Sequence, residues 1–64
     1  MHCSVVRPSG TVKHGFANEK AAVEWINHIA KLNGLTVVER VDNASTPFID
    51  YILSNDDVYS IHVS

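Results

Sequence analysis

The chain has 64 residues, of which 45% are hydrophobic, and a formal net charge of −2. A chain this short can build only one hydrophobic core, so residues 1–64 are expected to form a single domain. Its five Lys and Arg residues are scattered, without the dense basic cluster that nucleic-acid binding requires. The single cysteine excludes an internal disulfide, and no long apolar run suggests a signal peptide or a membrane span. We therefore expect a cytoplasmic domain that contacts neither a membrane nor nucleic acid directly.

Residues 1–16 are predicted to form a β-hairpin that turns at Pro8 and Gly10. Proline suits the second position of a type I turn, and glycine can adopt the left-handed conformation that follows it. Pairing Arg7 with Gly10 gathers most of the apolar side chains on one face. The other cross-strand pairs of this register are Val5 with Val12, Cys3 with His14, and Met1 with Phe16. The more polar face then carries His2, Ser4, Val6, Thr11 and Lys13.

Residues 18–34 have the pattern of one amphipathic helix. Asn18 is a favourable N-cap, and Glu19 lies in the first turn, where the helix dipole favours a negative charge. Asn33 and Gly34 provide the stop signal, since glycine readily takes a positive φ at a helix C terminus. Apolar residues recur at the spacing of a single helical face, namely Ala22, Trp25, Ile26, Ile29 and Leu32. This face is expected to cover a small sheet, so the helix is interpreted as scaffold.

The second half of the chain is predicted to contain three strands, at residues 35–41, 48–54 and 58–63. The first is rich in β-branched residues, and the other two form a hairpin around the polar residues 55–57. Alternation gives this hairpin a helix-facing side made of Ile49, Tyr51, Leu53, Tyr59, Ile61 and Val63. Its opposite side carries Phe48, Asp50, Ile52, Ser54, Val58, Ser60 and His62.

The predicted element order is β-β-α-β-β-β. One helix can cover one face of a four- or five-stranded, mainly antiparallel sheet, which is an α+β two-layer sandwich. The order of the strands within the sheet is left open by the sequence.

Few residues are candidates for catalysis or metal binding. The predicted pairing of Cys3 with His14 would suit an activated thiolate, but cysteine on an apolar face usually packs as a small hydrophobic residue. Zinc binding by these two residues with His2 and His62 would require the terminal strands to be neighbours, and no pair has zinc-finger spacing. A glycine-rich phosphate loop and a serine-nucleophile elbow are also missing from the sequence. We therefore expect no enzyme activity, no catalytic or metal-ligating residue and no cofactor.

The side of the sheet away from the helix gives the strongest indication of function. It is predicted to expose several apolar side chains, and exposed apolar patches usually mark binding surfaces. The two sheet edges add unpaired backbone groups, which invite a partner strand or a second copy. The predicted partner-binding residues are Phe48, Asp50, Ile52, Asp56, Asp57 and Val58.

This pattern favours a small protein-interaction module that binds, and thereby inhibits, a larger protein. In size and charge the chain is similar to small phage-encoded inhibitors of host enzymes or defence systems, including anti-CRISPR proteins. That similarity implies a protein partner. The alternative is a homodimeric structural or small-ligand-binding protein, in which two copies associate through the same open sheet face.

Overall fold

The computed structural model describes residues 2–43 and 45–63, and has one helix packed on a five-stranded antiparallel sheet. Its elements are β1 (Cys3–Val6), β2 (Val12–Phe16), α1 (Glu19–Leu32), β3 (Val37–Asp42), β4 (Phe48–Leu53) and β5 (Val58–Val63). The strands lie in the order β2-β1-β5-β4-β3, so β2 and β3 form the edges. The predicted α+β architecture and element order are confirmed.

Helix α1 carries the chain from one edge of the sheet to the other. Because every neighbouring pair of strands is antiparallel, the edge strands β2 and β3 run in the same direction. The segment that joins them must therefore run back along the sheet. The 14 residues of α1 span about 21 Å at about 1.5 Å per residue, which matches the roughly 20 Å length of a six-residue strand.

Both ends of α1 are closed by the residues that the sequence indicated. The Asn18 side chain accepts a hydrogen bond from the Ala21 N–H at 2.9 Å, which satisfies a free amide of the first turn. At the other end Gly34 has a φ of +70°, and the Leu35 N–H donates to the Ala30 carbonyl at 2.8 Å. This is a Schellman motif. Because Leu35 closes the helix in this way, β3 begins later than predicted.

The core lies between α1 and one face of the sheet. The sheet contributes Cys3, Val5, Tyr51, Leu53, Tyr59 and Ile61 to it. From the helix Ala22, Ile26 and Ala30 are buried, whereas Leu32 is 69% exposed. The prediction that Leu32 belongs to the covered face is therefore wrong. At about 100° per residue Leu32 lies roughly 120° around the helix from Ile26, the centre of the buried stripe.

The first hairpin has a three-residue loop rather than the predicted two-residue one. The Gly10 N–H donates to the Arg7 carbonyl at 2.9 Å, and the Arg7 N–H donates to the Thr11 carbonyl at 2.8 Å. Gly10 has a φ of +92° and is the additional loop residue after the type I turn. The strands are therefore joined through Arg7 and Thr11, and the predicted pairing of Arg7 with Gly10 is wrong.

Strand pairing next to this loop is shifted by one residue as a result, and an irregularity between Cys3 and Val5 shifts it by a second residue. The observed pairs are Cys3 with Phe16, Val5 with Lys13, and Val6 with Val12. They replace the predicted pairs of Val5 with Val12 and of Cys3 with His14, while the pair predicted for Met1 lies outside the described residues. The shift of one residue reverses the facing of the β2 side chains near the loop, whereas the second shift leaves Phe16 on the predicted helix side. Val12 and His14 therefore face away from the helix, and Lys13 lies on the helix side.

The second hairpin has the two faces predicted for it. Its buried residues are Tyr51, Leu53, Tyr59 and Ile61, all on the helix side. The Asp56 N–H donates to the Leu53 carbonyl at 2.9 Å, and the Leu53 N–H donates to the Asp57 carbonyl at 2.8 Å. Asp56 has a φ of +70°. The two hairpins thus share one turn geometry, with glycine in the left-handed position of the first and aspartate in that of the second.

Candidate protein-binding face

The side of the sheet away from α1, called the open face below, carries three rows of side chains that run across the strands. The middle row crosses all five strands, through Val41, Asp50, Ser60, Val6 and Val12. The row beside the β4–β5 turn consists of Glu39, Ile52 and Val58. The row at the opposite end contains Phe48, His62 and Ser4. Cross-strand neighbours of this kind are in side-chain contact, so the rows form one continuous surface.

Large apolar side chains on the open face are exposed to solvent. The exposed fraction is 37% for Phe48, 38% for Val58 and 44% for Val12. Val6 and Ile52 are half-buried beside them. Within residues 2–43 and 45–63 no helix or strand lies over this side of the sheet, because α1 packs on the other. A contiguous apolar surface of this kind is typical of a binding site.

A polar pair lies in the middle of this apolar surface. The Ser60 hydroxyl donates a hydrogen bond to Asp50 Oδ1 at 2.7 Å, and both residues are half-buried. A depression of about 410 Å³ surrounds the pair and is lined by Val6, Asn43, Thr46, Phe48, Asp50 and Ser60. A carboxylate within an apolar rim suits an amine or guanidinium group of a partner, because charged hydrogen bonds strengthen where water is excluded.

Positive side chains are confined to one side of the molecule, whereas acidic side chains lie on both sides. The five Lys and Arg residues all lie off the open face: Arg7 and Lys13 against Trp25, Arg40 against Glu19, and Lys20 and Lys31 on α1. Glu39 and Asp50 lie on the open face itself. At neutral pH the described part of this face is therefore apolar and acidic.

The structure places most of the predicted partner-binding residues together. On the open face lie Phe48, Asp50, Ile52 and Val58. Asp56 and Asp57 belong to the adjoining turn, where the Asp57 carboxylate accepts a hydrogen bond from the Asn55 amide at 2.9 Å. This bond gives Asp57 a conformational role, and contact of either aspartate with a partner stays a prediction.

Four members of the open face are missing from the sequence prediction, namely Val12, His14, Glu39 and Val41. The two-residue loop predicted from the sequence puts Val12 on the covered side, although the sequence Pro8-Ser9-Gly10 also suits a three-residue loop. Glu39 follows an irregularity in the pairing of β3 with β4. Such an irregularity determines which side of the sheet a residue faces, and no residue type in β3 indicates that it is present.

The predicted cysteine–histidine pair is not formed. Cys3 is 2% exposed and belongs to the core, whereas His14 is exposed on the other side of the sheet. A second depression, of about 470 Å³, is lined by His2, Cys3, Ser4, His14, Gly15 and His62. Even so, no three His, Cys, Asp or Glu residues in the described ranges are arranged to hold a metal ion.

Comparison with known proteins adds no family to this description: no protein-family model, curated protein or solved structure matches the chain. Among the described residues, no helix has the length and apolar character needed to cross a membrane.

Proposed function

We propose that this chain is a small protein-interaction module that binds a larger protein through its open face, and inhibits it by covering part of its surface. The observation that carries the proposal is the exposed apolar surface around Phe48, Val58 and Val12, on the side of the sheet that α1 does not cover. Burial of such side chains is the main favourable term in protein association.

The size of the open face favours a larger partner over a second copy. Five strands about 4.8 Å apart, each up to about 20 Å long, give an area on the order of 400–500 Å². A stable interface buries about 800 Å² on each partner. A larger protein can also contact the rim, where Asn43, Thr46 and the β4–β5 turn lie.

The charge of the open face indicates the chemistry of the partner. Glu39 and Asp50 lie on it, Asp56 and Asp57 lie beside it, and its described residues include no lysine or arginine. A second copy would bring two acidic surfaces together, which opposes association. The complementary partner surface is therefore apolar and carries at least one lysine or arginine that reaches Asp50.

Affinity capture with matched variants tests this proposal. Val58→Lys places a charge in the open face, and Leu32→Lys places the same charge at an exposed apolar position on α1. Both variants are checked for folding by NMR. We expect wild type and Leu32→Lys to capture the same protein, and Val58→Lys to bind that purified protein at least about tenfold more weakly. Asp50→Asn is expected to weaken binding too, because it removes the charge that faces the basic partner group.

Sedimentation at micromolar concentration separates the proposal from the homodimer alternative. We expect the wild-type chain to be a monomer. A dimer that dissociates on Val58→Lys would instead support self-association through the open face. Capture that survives in a folded Val58→Lys variant would place the partner elsewhere on the molecule and contradict the proposal.

A further inference from the structure

Three of the four histidines line one depression at an end of the open face, although they are far apart in sequence. His62 in β5 pairs with Ser4 in β1. On the other side of Ser4 the pairing of β1 with β2 is irregular, and His14 and Gly15 together oppose this one residue. His2 completes the lining, and none of the described lining residues has an acidic side chain.

The chemistry of this lining fits a negatively charged ligand. Histidine takes up a proton just below neutral pH, and both ring nitrogens of the charged form are donors. A serine hydroxyl is a further donor. Among the described residues, no three His, Cys, Asp or Glu side chains are arranged to hold a metal ion.

We propose that this depression binds an oxyanion, such as a sulfate, phosphate or carboxylate group, when its histidines are protonated. Ser4, His14 and His62 supply the donors, and the Phe48 ring packs on the His62 ring at a centroid distance of 5.0 Å, which orients it. An anion between the imidazolium groups also relieves their mutual repulsion. The site adjoins the apolar surface of the proposed function and shares Phe48 with it. Sulfate binding is measured on the chain alone, so it can fail while partner binding holds, and the reverse.

In the described part of the chain, no acidic side chain forms an ion pair with His14 or His62. Cys3 in β1 is buried in the core, and Lys13 in β2 lies on the far side of the sheet against Trp25. The nearest described carboxylate on the open face is that of Asp50 in β4, one row away, which accepts the Ser60 hydroxyl.

Titration with inorganic sulfate tests the site, since sulfate keeps its charge from about pH 6 to about pH 8 and any pH dependence then comes from the protein. Imidazole resonances are followed by NMR at constant ionic strength. We expect the signals of His14 and His62, and the Ser4 amide, to shift in a saturable manner at about pH 6. Affinity should fall at least about tenfold by about pH 8. A parallel titration with acetate shows whether the site prefers a tetrahedral ion or a carboxylate.

His28 provides an internal reference, because it is exposed on α1, away from the depression. His62→Gln and His14→Gln are each expected to weaken sulfate binding several-fold, and His28→Gln to leave it unchanged. Shifts that grow linearly and equally at His28 and His62 would overturn the proposal. Binding that is unaltered at about pH 8, or in a folded His62→Gln variant, would also overturn it.

Discussion

The hydroxyl of Tyr51 in β4 donates a hydrogen bond of 2.7 Å to the carboxylate of Glu19, the first residue of α1. Arg40 in β3 donates to the same carboxylate at 3.2 Å and to the Tyr51 oxygen at 3.1 Å. The bond from Tyr51 lowers the pKa of Glu19; partial burial opposes this shift, and Arg40 adds to it. Burial and the bond to Glu19 raise the pKa of Tyr51. These three side chains attach the start of the helix to the β3–β4 half of the sheet. All three lie on the helix side, so none of them occupies the open face.

Removal of the Tyr51 hydroxyl should destabilise the fold. A hydrogen bond to a charged group contributes about 1.5–3 kcal/mol, and partial exposure of Glu19 lowers this to about 1–2 kcal/mol for Tyr51→Phe. The matched control is Tyr59→Phe, because the Tyr59 hydroxyl has no hydrogen bond among the described residues. Urea unfolding measures both changes. An equal loss in the two variants would show that the bond to Glu19 contributes nothing specific.

The same network predicts acid sensitivity. Because the pKa of Glu19 is lower in the folded chain, its charge stabilises the fold above the pKa of an unfolded glutamate, about 4.3, and this stabilisation is lost as pH falls through the lower folded value. The difference in unfolding free energy between wild type and Glu19→Gln should therefore be largest near about pH 6 and should shrink toward about pH 3. Glu24→Gln serves as control, since Glu24 is exposed and has no described hydrogen bond or ion pair. A difference for Glu19→Gln that does not change with pH would contradict the prediction.

The buried stripe of α1 is expected to dominate stability. Ile26 is fully buried, and its replacement by alanine costs about 2–5 kcal/mol. A domain of this size has only about 3–5 kcal/mol in total, so Ile26→Ala should be largely unfolded at room temperature by circular dichroism. Leu32→Ala should change stability by no more than about 0.5 kcal/mol, because Leu32 is mostly exposed. A large loss for Leu32→Ala would mean that the helix packs on a different face.

Local signals in the sequence predicted the helix and the second hairpin well. Asn18 and Gly34 are the residues that close α1, and the alternation from residue 48 to residue 63 gives the observed faces. In both cases the information lies within a few neighbouring residues, where capping and side-chain alternation act.

The features that the sequence prediction got wrong or left open depend on the exact length of one loop or on contacts between distant residues. A single additional loop residue at Gly10 moved Val12 to the open face and Lys13 to the helix side. The lack of lysine and arginine on the described open face follows from that shift and from the contact of Arg40 with Glu19, which are 21 residues apart. Strand order likewise depends on which distant strands pair, and local patterns do not encode it.

Asp56 allows stability and partner binding to be tested separately. Its φ of +70° is a conformation that costs a residue other than glycine about 1 kcal/mol or more, and the glycine residues at the other positive-φ sites avoid this cost. Asp56→Gly removes the strain but makes the unfolded chain more flexible, so we expect a net gain of about 0.5–1 kcal/mol by urea unfolding. Asn55→Gly should be destabilising, because it removes both side-chain hydrogen bonds to Asp57.

If Asp56 also contacts the partner, Asp56→Gly should bind that partner more weakly although it folds more stably. Unchanged binding with increased stability would assign Asp56 to the turn alone, and would confine the acidic part of the interface to Glu39, Asp50 and Asp57. A loss of stability would contradict the strain argument, because a glycine at Asp56 has the conformational freedom that Gly10 uses in the first hairpin.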